Sequence, residues 1–376
     1  MSFVANAAAG LKSFDRKTWP DHRVCVSEEA AALLLKHKIV MADVGAADGP
    51  PEMWLSVRQY LHFITFEPNP RPGQTESTPD TTNFPIGLWS YAGKMKLYIT
   101  AHPDSASLLP VNTEFFADFR VKEGMEMTGS AEIEVDTLDH VLEGRPGLLP
   151  NFIKIDVEGG DLEVLKGAEQ ALAETILGIR IETSFAELHT GRPLLWEIDQ
   201  FLRDHGYALF HLGRNHWIRN CGMHGFTSEP QLIWSDAVYF LSRKPFLKRL
   251  ARMSGDERMA GLAKYVVILL RHGVHDYAVE LIDAAVAERL VPVAFGDSLR
   301  NSVRNSMDTS AWYFIKGFLG VCFSLGILAI TCTVASARQR GIYYVKQRVG
   351  RFAYDVWRLT SREGRVANSH VGDPFI

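Results

Sequence analysis

The sequence predicts an α/β protein, with a largely parallel sheet covered by helices on both faces. Three observations predict it. Short apolar runs of strand length recur between residues 39 and 241, helix-period stretches fall between several of them, and the first run ends in the glycine turn Gly45-Ala46-Ala47-Asp48-Gly49. The chain has 376 residues, of which 47% are apolar and 22% charged. It is long enough for one large or two medium domains, and its composition excludes wholesale disorder and collagen-like repeats.

Ile39 to Val44 reads as a buried strand, and Pro50-Pro51 after its glycine turn suits a helix start. His62 to Phe66 is a second strand ending at Glu67-Pro68-Asn69-Pro70. Further strands are expected at Asn83 to Ile86, Lys96 to Ile99, Ile133 to Val135, Phe152 to Ile155, Ile176 to Ile181, Tyr207 to Leu212 and Ala237 to Leu241. Helices are expected at Glu28 to Lys38, Leu162 to Ala173 and Leu194 to Asp204. In such a sheet, ligands bind beyond the carboxyl ends of the strands, so the residues just after each run are the candidates for function.

The net charge of -4 argues against a generally basic nucleic-acid binder, but the charge is unevenly spread. From Phe246 onward there are 18 Lys and Arg against 11 Asp and Glu; residues 1–245 hold 22 against 33. The four cysteines, Cys25, Cys221, Cys322 and Cys332, form no C-x-x-C pair, so a reducing compartment is expected. MSFVANAAAGLKSFDRK has no basic region leading into an apolar run, and no secretory signal is expected there.

Gly45 and Gly49 allow a tight turn with close approach to a ligand, and a following helix start offers free N–H groups. Glu67 lies 22 residues after Gly45, at the end of the next strand, where a carboxylate accepts ribose hydroxyls in nucleotide-cofactor folds. The turn lacks the G-x-G-x-x-G pattern that cradles a diphosphate. An adenosine ligand without a diphosphate fits better, and S-adenosylmethionine is the candidate. An ordinary strand-to-helix turn is the bland alternative.

The segment NFIKIDVEGGDLEVLKGAE, residues 151–169, resembles the hallmark stretch of the FkbM-type methyltransferases. DVGAADG, FEPNP, IGLWSYAGKMKLYI and EVDTLDHVL precede it in the family's order, and IRIETS and SDAVYFL follow. The resemblance implies a class I Rossmann-like methyltransferase fold and S-adenosylmethionine-dependent O-methylation of a hydroxyl on a sugar, glycan or related metabolite. It implies that Asp43, Gly45, Ala46, Ala47, Asp48 and Gly49 line the methionine and ribose part of the cofactor. It further implies that Glu67 holds the ribose and that Gly87 and Leu88 lie near the adenine. The Pro50-Pro51 pair is a departure from the family's loop.

Methyl transfer to an alcohol calls for a base that takes the hydroxyl proton. The candidates are Asp156, Glu158, Glu182 and His189, with Asp156 also expected to face the cofactor's positive end. Asp156 and Glu158 have a competing structural reading as acceptors for the N–H groups of the next helix. Lys154 reads as a paired or solvated lysine. No metal is expected. His211, His216, Cys221 and His224 match no zinc spacing and have Arg214 and Arg219 as neighbours, so a polar loop over the acceptor is the better reading.

The expected organisation is an N-terminal helical lead-in (1–37), the FkbM-type methyltransferase domain (38–245), a helical pair (246–295), a polar linker (296–310), an apolar membrane-associating segment (311–337) and a basic tail (338–376). The pair comprises Met259 to Leu270 and Tyr277 to Leu290, with packing against the preceding domain favoured. Gly317 to Ala337 carries no charge over 21 residues, which as a helix is long enough to cross a hydrocarbon core. Trp312 and Tyr313 precede it, and 338–365 holds 8 basic against 2 acidic residues. These flanks imply contact with membrane lipid. The catalytic part is expected in the cytoplasm, while spanning, re-entrant and buried arrangements of the apolar run stay open. A nucleotide-cofactor oxidoreductase and a catalytically silent membrane-associated scaffold are the alternative functions.

Overall fold

The computed structural model describes residues 23–46, 52–69, 77–102, 105–119, 124–217, 219–220 and 231–307. Its main sheet contains β1 (Ile39–Val44), β2 (Leu61–Phe66), β3 (Thr81–Phe84), β7 (Phe152–Ile155), β8 (Gly178–Ser184), β9 (Tyr207–Leu212), β10 (Asn215–Trp217) and β11 (Gln231–Leu241). The order is β11-β8-β7-β1-β2-β3, with β9 and β10 both pairing to the far side of β11. Strands β8, β7, β1, β2 and β3 run parallel, and β11 is antiparallel to β8. All six residues of β1 are buried, as expected for a central strand covered on both faces.

A smaller sheet stands beside it. β4 (Gly87–Leu88), β5 (Gly93–Thr100) and β6 (Met127–Asp136) pair in the order β4-β6-β5. Thus two runs expected in the parallel sheet, Lys96 to Ile99 and Ile133 to Val135, instead make an antiparallel hairpin with both strands largely outside the core. Their alternating charged residues, such as the Lys94–Glu132 pair at 2.9 Å, suit a solvated sheet.

On one face the sheet is covered by α4 (Asp161–Lys166), α5 (Glu169–Glu174) and α6 (Leu195–Asp204). The expected single helix from Leu162 to Ala173 is two helices. Gly167 separates them, and any Cβ there would lie 2.1 Å from the Trp89 carbonyl oxygen, so the chain bends where the two backbones meet.

The other face is covered by α1 (Glu28–Lys36), a kinked 3-10 helix (Glu52–Tyr60) and the C-terminal helices α7 (Arg243–Arg252), α8 (Gly255–Arg271), α9 (His275–Ala287) and α10 (Val293–Ser306). The aromatic ring of Phe152 on β7 lies 5.2 Å from Trp54 and 5.0 Å from His272, and His272 lies 5.3 Å from Phe240 on β11. One hydrophobic core therefore runs from the central strands into the C-terminal helices. The helices complete the layer that a full helix after β1 would supply.

The polar linker expected at 296–310 is corrected by α10, which occupies Val293–Ser306. Phe295, Leu299 and Val303 recur every four residues and are buried. The serines that made the stretch look like a linker dock the approach to α1. Ser302 Oγ accepts from Ser27 N–H at 3.0 Å, and Ser306 Oγ accepts from Cys25 N–H at 2.8 Å. Among the described residues no helix is long and apolar enough to cross a membrane; residues 317–337 lie outside them.

Candidate active site

The order β8-β7-β1-β2 brings four strand ends side by side, and the candidate residues follow them. Gly45 turns the chain out of β1 with φ +79° and donates its N–H to the Phe66 carbonyl at 3.0 Å. This fixes the turn against the end of β2, where Glu67 follows. The Glu67 Oε1 accepts from the Asn69 N–H at 2.9 Å. On the opposite side the turn touches β7, since a Cβ on Gly45 would stand 2.0 Å from the Asp156 carbonyl oxygen. Ala46 is buried behind it. Ala47, Asp48 and Gly49 lie outside the described residues.

Asp43 and Lys154 are register partners on β1 and β7. Lys154 Nζ donates to Asp43 Oδ1 at 3.1 Å and lies 3.5 Å from Asp156 Oδ2. Lys154 is thus a half-buried cation joining two carboxylates in the centre of the sheet. Burial pushes its ammonium pKa down, but Asp156 and Asp43 outweigh burial and the net shift is upward. Asp43 Oδ2 is buried with no hydrogen-bond partner among the described residues.

Beyond β7 the chain turns sharply through Val157 to Gly160. Glu158 takes the left-handed conformation at φ 55°, and Gly159 follows at φ 115°. A non-glycine residue there is strained, and such strain persists only where the surroundings hold it. The hold comes from Ser107, whose buried hydroxyl donates to the Glu158 carbonyl at 2.7 Å. Asp161, at the start of α4, accepts from the Gly159 N–H at 3.1 Å. Asp161 thus holds the turn between β7 and α4 rather than the helix N–H groups, and no side chain caps α4 among the described residues.

Glu182 projects from the end of β8. Oxygen atoms of Asp156, Glu158 and Glu182 all lie within 4.8 Å of one another. Arg192 closes the cluster from the loop after β8. Its Nη2 lies 2.7 Å from Glu182 Oε1 and 3.6 Å from Asp161 Oδ2, and its side chain is 1% exposed. Burial, then Glu158, push the Glu182 carboxyl well above the usual carboxylate range, although Arg192 pulls it down. Burial likewise raises Asp161 to about 6. Among the described residues, five carboxyls, those of Asp43, Asp156, Glu158, Asp161 and Glu182, meet Lys154 and Arg192 here, and Arg180 acts on Asp43 and Asp156 from beside them. Arg180 is paired with Asp236 at 3.0 Å.

His189 is fully buried, and neither ring nitrogen has a hydrogen-bond partner among the described residues. Burial, aided by Arg192, lowers its pKa to about 3. A ring that holds a proton so weakly is a poor base, so Glu182 and Glu158 are the stronger candidates. Gly87 and Leu88 are buried in β4, and the space beside Gly87 is filled by Val135 and Ile133. Packing alone thus accounts for glycine at position 87. His211 and His216 lie on β9 and β10, and the other members of that group, Cys221 and His224, are outside the described residues.

Sequence reasoning missed Arg192, Asp161 and Ser107. Asp161 was legible only as a helix start. Arg192 carries no local signal, because its partners lie 10 and 31 positions away in the chain.

The residues fit an adenosine cofactor bearing a positive charge. A carboxylate stands at the end of β2 and a turn that only glycine allows joins it to β7; among the described residues, Asp43 Oδ2 has no hydrogen-bond partner and the adjoining cluster has more carboxyls than cations. The sheet order, five parallel strands with β11 antiparallel at the end of β8, is that of a Rossmann-like methyltransferase fold, here with a helical C-terminal part. More particularly, residues 43–209, less than half of the chain, match the family model described as Methyltransferase FkbM domain. Among solved structures, the chain resembles methyltransferase FkbM from Methylobacillus flagellatus KT at 18% identity, with a TM-score of 0.31. That alignment covers 54% of this chain and 44% of the other, so this chain spans less than half the length of that protein. Comparison with curated proteins gives no match.

Proposed function

We propose that this protein is an S-adenosylmethionine-dependent O-methyltransferase acting on a hydroxyl of a sugar, glycan or related metabolite. The observation that carries the reading is the convergence of Asp156, Glu158 and Glu182 beside the Gly45 turn. When bound, S-adenosylmethionine supplies a methyl group on a sulfonium, which needs no further activation. The protein's tasks are then to hold the acceptor oxygen in line, exclude water and take up one proton. Glu67 suits the ribose hydroxyls, and Asp156, whose Oδ2 lies 3.5 Å from Lys154 Nζ, suits the positive end of the cofactor. Glu182 or Glu158 takes the proton. Phe116, Phe119 and Trp217, on α2 (Thr113–Ala117), the residues after it and β10, pack into a second small core that includes Leu188 of the loop after β8. On sequence grounds, residues 311–337 and the basic tail 338–376 hold a cytoplasmic catalytic domain at membrane lipid.

The experiment is transfer of an isotopically labelled methyl group from S-adenosylmethionine to lipid-linked and soluble glycan fractions. The label is expected as a methyl ether on a hydroxyl, with the enzyme sedimenting with the membranes. Glu182→Gln is expected to slow transfer by about 100-fold or more, the usual contribution of a general base. Label on a carboxyl or a nitrogen, or full activity in Asp156→Ala, Glu158→Gln and Glu182→Gln alike, would overturn the reading.

A further inference from the structure

Helix α7 presents a stripe of cations that its neighbours do not neutralise. Phe246, Leu247 and Leu250 are buried in the core, while Lys244, Lys248 and Arg252 are exposed. These three stand at i, i+4 and i+8, so they share one face over about 12 Å of helix. Among the described residues none of the three has an ion pair or a hydrogen bond, and α7 contains no acid. Beside them, Arg243 is paired with Glu280 of α9 at 2.8 Å, and Asp256 at the start of α8 is taken by Lys36 at 3.0 Å.

This arrangement works against the helix. Like charges four residues apart repel, and Arg243 and Lys244 sit in the first turn, where the helix dipole favours acids and none is present. The helix is held from its buried side instead. Arg249 Nη1 donates to the Ile176 carbonyl at 2.7 Å and its Nη2 donates to the Leu172 carbonyl, both ahead of β8. Because β11 leads into α7 and runs antiparallel to β8, the stripe lies at the end of the sheet opposite the candidate site.

We propose that the Lys244, Lys248 and Arg252 face of α7 docks the folded domain on an anionic lipid surface. Charge complementarity calls for an anionic partner, and the sequence favours lipid over another polyanion. Helix α10 ends at Ser306, and residues 317–337 then run 21 positions without a charge and are followed by a basic excess. The ten residues between, 307–316, span at most about 35 Å, so an inserted apolar run keeps the domain beside the bilayer. The inference rests on the membrane reading above and names the surface of the folded domain that meets the lipid. The carboxyl ends of β1, β2, β7 and β8 are at the other end of the sheet and stay open while the domain is docked.

The test mixes the full chain with preformed vesicles of phosphatidylcholine, alone or with phosphatidylglycerol. Acetylation of Lys244 and Lys248, read by mass spectrometry, reports their contact with lipid, and the exposed Lys94 of β5 is the control. Phosphatidylglycerol vesicles are expected to slow both reactions about fivefold or more, the factor that one cation's attraction to an anionic surface supplies. Neutral vesicles should leave both rates unchanged, and high salt should remove the protection. In the double variant Lys248→Gln, Arg252→Gln, Lys244 should lose its protection. Equal rates with and without phosphatidylglycerol, equal protection by neutral vesicles, protection by duplex DNA as strong as by phosphatidylglycerol, or undiminished protection in the double variant would overturn the proposal. The wild-type comparison decides the matter even if the variant fails to fold. Flotation of the same samples separates the two readings. A chain that floats with neither vesicle overturns the membrane reading and this inference with it, whereas one that floats with Lys244 and Lys248 unprotected overturns this inference alone.

Discussion

Gly45→Ala is expected to destabilise the fold by about 4 kcal/mol or more and to abolish binding of S-adenosylhomocysteine. Two costs add. At φ +79° an alanine pays the left-handed penalty, about 1–2 kcal/mol. Its Cβ would also stand 2.0 Å from the Asp156 carbonyl oxygen and 2.9 Å from the carbonyl carbon, which are backbone atoms of the neighbouring strand end and cannot swing aside. The turn must therefore part from β7, which separates the donor side of the site from the carboxyl cluster. Gly144→Ala is the control. It shares a positive φ of 70° but has nothing within 4 Å of the added methyl, so only the conformational cost of about 1 kcal/mol is expected. Urea denaturation of both variants checks the contrast, and equal stabilities would refute it.

Arg192→Met is expected to cost about 3–5 kcal/mol at neutral pH, the range for removing one partner of a buried ion pair. Methionine keeps much of the stem that packs on Gly159 but leaves Glu182 and Asp161 without their cation. The pH dependence separates this loss from mere packing. Asp161 at about 6 and Glu182 both have raised folded pKa values. A raised carboxyl binds more protons folded than unfolded, so its favourable contribution is present at low pH and is lost as pH rises through the folded pKa. Without Arg192 both values rise further. The deficit is therefore expected to be largest at neutral pH and above and to shrink as the solution is acidified toward about pH 5. Urea midpoints measured across that window test it, and a deficit independent of pH would assign Arg192 a packing role only.

How much of this was legible in the sequence depends on the range of the interaction concerned. β1, β7 and the acids that follow β2, β7 and β8 were legible, because a strand between helices announces itself as a short apolar run and its ligand-facing residues come next in the chain. Glu158 and Glu182 were legible as acids but not as a pair, since their proximity is set by the register of β7 on β8. Arg192 was invisible because nothing near it distinguishes a buried guanidinium from a loop arginine. The placement of β5 and β6 in their own sheet is likewise a matter of pairing, which an alternating pattern does not reveal. In α10 the buried stripe of Phe295, Leu299 and Val303 was present, but serine-rich composition outweighed it.

The C-terminal helices bear directly on the domain that does the chemistry. Tyr265 and Tyr277 both donate to the Leu241 carbonyl at the end of β11, and Lys264 donates to Asn151 Oδ1 at 3.1 Å, just before β7. Asn151 Oδ1 also accepts from Val40 N–H at 3.1 Å. These bonds tie α8 and α9 to the strands whose far ends carry the site. The FkbM-domain match stops at residue 209, within β9, but the hydrophobic core does not.

The central claim is that the ends of β1 and β2 receive an adenosine cofactor without a diphosphate. The most direct measurement is titration of the whole chain with S-adenosylhomocysteine and, separately, with NAD, for the wild-type protein and for Glu67→Ala. The account predicts saturable binding of S-adenosylhomocysteine, no binding of NAD, and a loss of about tenfold or more in affinity when the ribose carboxylate is removed. Binding of NAD in place of S-adenosylhomocysteine, or affinity unchanged in Glu67→Ala, would contradict it.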